Sequence, residues 1–163
     1  MALTHRYPKI DRELGIRLAA FTDGEGHFAI CTNNGDKRQK SYACRFIIKL
    51  RDDDLELLER FHQATGLGTL LVHGGGGPTA RTRYAQARWA VHAKAECLRL
   101  TEIFDEHPLW SKKARDYAIW REAVIHWCSV SAHNGPVDWA PMARWFEEIR
   151  EARRHPNHLK EVA

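Results

Sequence analysis

A helix that runs straight into a strand constrains this chain more than any other stretch. Leu14, Leu18 and Phe21 recur at helical spacing. The segment then stops in Gly24-Glu25-Gly26, residues that end a helix rather than extend it. From His27 to Asn33 the pattern alternates as in a strand. A carboxylate, Glu25, therefore stands where a helix runs out into a sheet. The same helix carries two small-x-x-x-small pairs, Gly15/Ala19 and Ala20/Gly24. Interaxial distance depends on the side chains at the contact, so such pairs let another helix approach closely. A packed pair of these helices would set two carboxylates side by side. Taken alone, Glu25 reads more readily as an ordinary exposed carboxylate at a helix end than as a site residue.

The remaining pattern predicts an α+β fold in the order αββαββα, an antiparallel four-stranded sheet with helices on one face. The first helix spans about Asp11 to Gly24, and the first strand about His27 to Asn33. Asn33-Asn34-Gly35-Asp36 is a hairpin turn, extended by the basic stretch Lys37-Arg38-Gln39-Lys40. In the second strand, Ser41 to Leu50, residues Tyr42, Cys44, Phe46, Ile48 and Leu50 share one face. Ser41, Ala43, Arg45, Ile47 and Lys49 share the other. Asp52-Asp53-Asp54 opens a helix, with Asp53 and Glu56 at capping-box spacing; Leu55, Leu58 and Phe61 form its apolar side and Gly66 ends it. A third strand covers about Gly68 to His73, and the run Gly74 to Gly77 with Pro78 forms a tip. The fourth strand covers about Arg83 to His92, with Trp89 and Val91 inward and Gln86, Arg88 and Ala90 outward.

Helices follow at about Ala93 to Phe104, Lys112 to Trp127 and Trp139 to Arg153, broken by His107-Pro108 and by Asn134-Gly135-Pro136. Tyr117, Trp120, Val124 and Trp127 form a core stripe; Trp139, Met142, Phe146 and Ile149 do the same in the last helix. At 163 residues the chain reads as one domain, residues 1–163, with a core at about 11–127, a C-terminal helix at about 137–154 and a frayed tail from His155.

Composition narrows the function classes. No signal peptide and no membrane-length apolar run is visible, which predicts a soluble, intracellular protein, cytoplasmic, nucleoid-associated or organellar and not secreted. Cys31, Cys44, Cys97 and Cys128 contain no C-x-x-C pair and read as reduced packing residues. His126, Cys128 and His133 match no standard zinc spacing. The net charge is +4, compatible with a nucleic-acid partner.

An antiparallel sheet usually leaves one face wet. Here that face carries Arg45 and Lys49, with Arg51 just beyond, together with Gln86 and Arg88. Arg81, Arg83 and Tyr84 sit at the start of the fourth strand, and Asn33 and His73 end the first and third. Arg and Gln suit the major-groove edges of guanine and adenine, while Lys more often grips phosphate. The wet face of the second strand holds no acidic residue, whereas Asp and Glu concentrate on the helices. That asymmetry favours contact with DNA over an ordinary solvated face.

Leu18-Ala19-Ala20-Phe21-Thr22-Asp23-Gly24-Glu25-Gly26 resembles the signature of the LAGLIDADG homing endonucleases, with Ala20 in place of the usual Gly and Thr22 in place of an aliphatic residue. Leu50 to Leu55, Ala87-Arg88-Trp89, His107-Pro108-Leu109 and Lys112 to Tyr117 extend the likeness over roughly residues 12 to 127. The signature occurs once, so the resemblance is to the single-motif, homodimeric type. It implies a phosphodiester hydrolase that makes a Mg²⁺-dependent double-strand break in a long pseudo-palindromic DNA target, leaving short 3′ overhangs. Mn²⁺ or Ca²⁺ would substitute in binding. The alternative is a cleavage-inactive DNA-binding protein or an intron RNA maturase on the same fold.

The resemblance makes Glu25 the metal ligand, assisted by the Gly24 carbonyl. It makes Lys112 the basic residue near the scissile phosphate, with Lys113 second and among the DNA contacts. Leu50 stands where some members carry a polar, water-ordering side chain, and Arg51 is the nearest substitute. Asp23 is expected to cap or orient the helix end. Ala20 and Gly24 are expected to form the dimer contact. DNA contacts are expected from Asn33, Arg38, Lys40, Arg45, Lys49, Arg51, His73, Arg81, Arg83, Tyr84, Gln86 and Arg88.

Overall fold

The computed structural model describes residues 7–33, 40–74, 84–130 and 136–154. In chain order the elements are α1 (Arg12–Glu25), β1 (Gly26–Asn33), β2 (Ser41–Arg51), a 3₁₀ turn (Asp52–Asp54), α2 (Leu55–Thr65), β3 (Thr69–His73), β4 (Gln86–Val91), α3 (Lys94–Glu106), α4 (Lys113–Ser129) and α5 (Ala140–Ala152). The four strands form one antiparallel sheet in the order β1-β2-β4-β3. The expected αββαββα order is present and continues into α4 and α5.

The sheet separates two chemistries because side chains alternate along a strand. One face aligns Phe28, Phe46 and Val91 in one row and Ile48, Trp89 and Leu70 in the next. Phe28 packs its ring on Phe46 at 5.2 Å, on Trp120 of α4 at 5.2 Å and on Phe104 of α3 at 5.8 Å. Fully burying a ring of this kind is worth about 1.5–3 kcal/mol. Leu18 of α1 and Leu58 of α2 are fully buried in the same core. The Trp89 indole donates to the Leu67 carbonyl at 2.7 Å, so the one polar atom of this buried ring is satisfied. Gly66 closes α2 in the left-handed region at φ 66°, where a side chain would be strained.

Several details depart from the sequence pattern. The capping box does not form: Asp53 pairs with Arg51 at 3.0 Å, a 3₁₀ turn precedes α2, and α2 begins without a side-chain cap. Leu50 and Trp139 are only partly buried. Ala90 lies on the outward face but is 4% exposed, set between Ile47 and Thr69 in the sheet. The pair Gly15/Ala19 serves the chain's own packing, because the His107 ring lies so close over Gly15 that a Cβ there would overlap it. The turn after Asn33, the glycine tip from residue 75 onward, most of the loop before Pro136 and the tail from His155 lie outside the described residues.

Candidate active site and nucleic-acid interface

The junction between α1 and β1 contains no loop. Asp11 caps α1, its carboxylate accepting from Leu14 N–H at 2.7 Å. Glu25 is the last helical residue and Gly26 the first of β1. The Gly26 N–H donates to the Thr22 carbonyl, and a Cβ at Gly26 would collide with Thr22. The tight turn leaves the Glu25 side chain exposed, with no hydrogen bond or ion pair among the described residues.

Asp23, two residues back, is fully engaged. Its two carboxylate oxygens accept from the backbone N–H groups of Trp110 and Ser111, each at 2.9 Å. The Ser111 hydroxyl donates to the Asp23 carbonyl at 3.3 Å and accepts from Lys113 N–H at 3.1 Å. Partial burial works to raise the Asp23 pKa, but these backbone and hydroxyl donors, with Lys113 nearby, hold it below the ordinary value. Asp23 thus orients its neighbourhood, as expected, by strapping the start of α4 to the end of α1.

That strap decides which lysine meets the signature segment. Lys113 donates to the Gly26 carbonyl and, at 3.5 Å, to the Gly24 carbonyl, so its ammonium brackets Glu25. Lys112 is exposed at the N-terminal boundary of α4. Of the two lysines, Lys113 lies against the junction and Lys112 stands outside it. Burial lowers the Lys113 pKa; Asp116 and Glu25 oppose that shift, and Arg153 and Lys112 add to it.

Beside Lys113 a cleft of about 450 Å³ runs between His27, the start of α4 and the end of α5. Arg153 crosses it, pairing with Asp116 at 2.8 Å and donating to the Phe28 carbonyl. Burial lowers the His27 pKa, reinforced by Arg153 and Lys113. Ser111, Asp116 and Arg153 belong to this neighbourhood and were not singled out in the sequence. Arg153 lies 125 residues from Phe28, so no local pattern signals the contact.

The outward sheet face begins at this junction. His27, Ile47, Ala90 and Thr69 form one row across it. Lys49, Arg88 and Leu71 form the next, and Arg51, Gln86 and His73 the last. Arg45, Lys49, Arg51 and His73 are exposed, while Arg88 and Gln86 are half-buried. None of the four strands contains Asp or Glu. Arg51 pairs with Asp53 at 3.0 Å and stacks 4.4 Å from the centre of the Tyr84 ring rather than engaging Glu25. Lys40 is exposed just before β2, and Asn33 closes β1 opposite Ser41. Arg38, Arg81 and Arg83 lie outside the described residues.

On the far side of α1, Ile16, Ala20 and Gly24 are exposed, and a Cβ at Gly24 would meet no atom within 4 Å. Trp110, held through its backbone by Asp23, is 93% exposed beside them.

For a metal ion, the described residues contain no group of three or more His, Cys, Asp or Glu side chains. One unengaged carboxylate with the Gly24 carbonyl does not make a closed protein cage. It does fit a hard cation such as Mg²⁺, which takes one or two carboxylates and completes its shell with phosphate oxygens and water. Among the described residues no helix is long and apolar enough to cross a membrane.

Among solved structures the chain is similar to the LAGLIDADG meganuclease I-AabMI bound to uncleaved DNA, with 24% identity and a TM-score of 0.55 over 68% of this chain and 35% of that one. It is similar to I-SmaMI bound to an uncleaved DNA target in the presence of calcium ions, with 16% identity and a TM-score of 0.69 over 93% of this chain and 48% of that one. The LAGLIDADG homing endonuclease I-GzeII in complex with its DNA target matches at 19% identity and a TM-score of 0.62, over 94% and 48%. The chain thus spans half or less of the length of these proteins. No curated protein matches it. The family model for LAGLIDADG endonuclease matches residues 18–124, more than half of the chain, which begins inside the signature helix and ends in α4. The sheet, the helix-to-strand junction and this match agree, and the chain belongs to the LAGLIDADG endonuclease family.

Proposed function

We propose that this chain is a site-specific homing endonuclease that acts as a homodimer and makes a metal-dependent double-strand break in a long pseudo-palindromic DNA target, leaving short 3′ overhangs. The observation that carries the reading is Glu25, an unengaged carboxylate at the α1–β1 junction, bracketed by the Lys113 ammonium and standing at the border of an acid-free basic sheet face. A nuclease needs these three parts together: a carboxylate for a divalent ion, a cation for developing charge, and a surface for the duplex.

Glu25 and the Gly24 carbonyl would hold Mg²⁺, which when bound supplies an activated water and a Lewis acid for the leaving 3′ oxygen. Lys113, fixed by the Asp23 strap, would face the charge that develops on the phosphate. Arg45, Arg88 and Gln86 would read base edges in the major groove, while Lys49 and Lys40 would grip phosphates. Cutting both strands takes two such sites, and because the signature occurs once in this sequence, two copies joined by a closed two-fold axis would supply them. Ala20 and Gly24 would form that contact, bringing the two Glu25 carboxylates near the axis.

The test is incubation of wild type and Glu25→Gln with the intron-less host locus and Mg²⁺. The reading expects wild type to cut both strands with 3′ overhangs, and Glu25→Gln to bind with unchanged affinity but not cut. Binding without cleavage by wild type would instead identify a binding protein on the same fold, and preferential binding of the intron transcript would identify a maturase.

A further inference from the structure

Leu71 is an anomaly on the sheet face. It is 47% exposed in the middle of β3, directly across from Arg88, which in turn pairs with Lys49. It borders a groove of about 220 Å³ whose other walls are Arg45, Thr69, Arg88, Ala90 and His92. Its apolar lining is Ala90 and the exposed Leu71 side chain, and Ile47 pairs with Ala90 in the same row of the sheet. The rim is cationic, and the strands supply no acid to neutralise it. The Nε of Arg88 is buried without a hydrogen-bond partner among the described residues.

A leucine cannot hydrogen-bond a phosphate or a base edge. Its place beside Arg45 and Arg88 also disfavours an apolar protein partner, which would leave those two charges uncompensated. The occupant must be strongly anionic overall yet offer one small apolar group at the depth of the groove. The major groove of DNA offers one such group, the C5 methyl of thymine, beside the acceptor edge that arginine reads on guanine. We infer that the groove at Leu71 is a thymine-methyl pocket, which reads a T·A pair adjacent to a G·C pair held by Arg88. This inference rests on the DNA-binding reading above. It adds a specificity-determining residue, Leu71, whose signal is shape and apolarity rather than hydrogen bonding.

Replacing thymine by uracil deletes only the methyl, so the test needs no change in the protein. Duplexes bound by wild type are first selected from a random DNA library, and each thymine of the selected duplex is then replaced in turn by uracil. At one position, repeated in the other half-site, wild type should lose about fourfold in affinity, the worth of one buried methyl-sized group. Leu71→Ala, on an exposed edge strand, should bind thymine and uracil equally at that position. A tightly bound duplex with no uracil-sensitive position would overturn the pocket and leave the endonuclease reading standing. Uracil sensitivity that persists in Leu71→Ala would overturn the assignment to Leu71. Failure to select any duplex would overturn the DNA reading, and the pocket with it.

Discussion

The ammonium of Lys113 rests on the backbone carbonyl of Gly26, so the first residue of α4 closes the joint where α1 becomes β1. The same ammonium reaches the Gly24 carbonyl on the other side of Glu25. On the proposed reading, a cation held this firmly, beside a carboxylate that has no hydrogen bond or ion pair among the described residues, would be preorganised for charge that develops in the transition state.

Lys113→Ala should therefore lower single-turnover cleavage by about 10²–10³-fold, the range for losing one preorganised donor, with little change in binding. Lys112→Ala should have the smaller effect. Because burial lowers the Lys113 pKa, wild-type cleavage should fall on the alkaline side at a pH below the ordinary lysine value. Lys113→Arg should push that limb upward. A pH–rate profile identical in wild type and Lys113→Arg would remove Lys113 from the chemistry.

Two glycines on α1 make opposite predictions. Nothing lies within 4 Å of a Cβ at Gly24, so Gly24→Leu should fold normally, fail to dimerise and lose cleavage. Gly15 carries the His107 ring, so Gly15→Ala should destabilise the subunit by about 1–3 kcal/mol through overpacking. Sedimentation reads the first, where wild type should have twice the 18.8 kDa mass of one chain. Thermal unfolding reads the second. A Gly24→Leu protein that stays a fully active dimer contradicts the α1 interface.

The sheet face should separate two kinds of contact. Removing Arg45 or Arg88 should cost about 1–3 kcal/mol and relax preference at particular base pairs. Lys49→Ala should weaken all sequences alike and reduce the log–log salt slope by about 1. Binding titrations across a salt series against selected and scrambled duplexes measure both quantities. Equal, sequence-independent losses at all three positions would argue against base readout by the arginines.

Asp23 should act through stability and position. Its pKa is lowered in the folded state, so its contribution is present above the ordinary value of 3.8 and is lost as pH falls below it. Asp23→Ala should remove a two-donor cap, at about 1 kcal/mol near neutral pH, and the difference from wild type should vanish in acid. Denaturant unfolding at several pH values provides the measurement. A difference that grows toward low pH would contradict the sign.

Much of this architecture is legible in the sequence because it follows local periodicity. Alternation in β2 identifies Tyr42, Cys44, Phe46 and Ile48 as inward, and all four are buried. Gly66 ends α2 as its conformational freedom predicts. Other features depend on tertiary phase. Lys112 and Lys113 are adjacent in sequence, but consecutive helical residues point about 100° apart. Only the Asp23 strap, formed 87 and 88 residues away, decides which one faces Glu25. The Gly15/Ala19 and Ala20/Gly24 pairs look alike as patterns, yet His107 claims the first and leaves the second exposed. The capping box fails for a similar reason, since Arg51 at the end of β2 takes Asp53.

The strap also bears on how activity appears during folding. Asp23 and Ser111 are 88 residues apart, and the whole sheet is laid down between them. Closing so long a loop is entropically costly and slow relative to forming α1 or a hairpin. A refolding chain should therefore acquire helix and strand signals before Lys113 reaches Gly26. On the proposed reading, cleavage competence should return with the slowest packing step, the one that brings Lys113 onto Gly26.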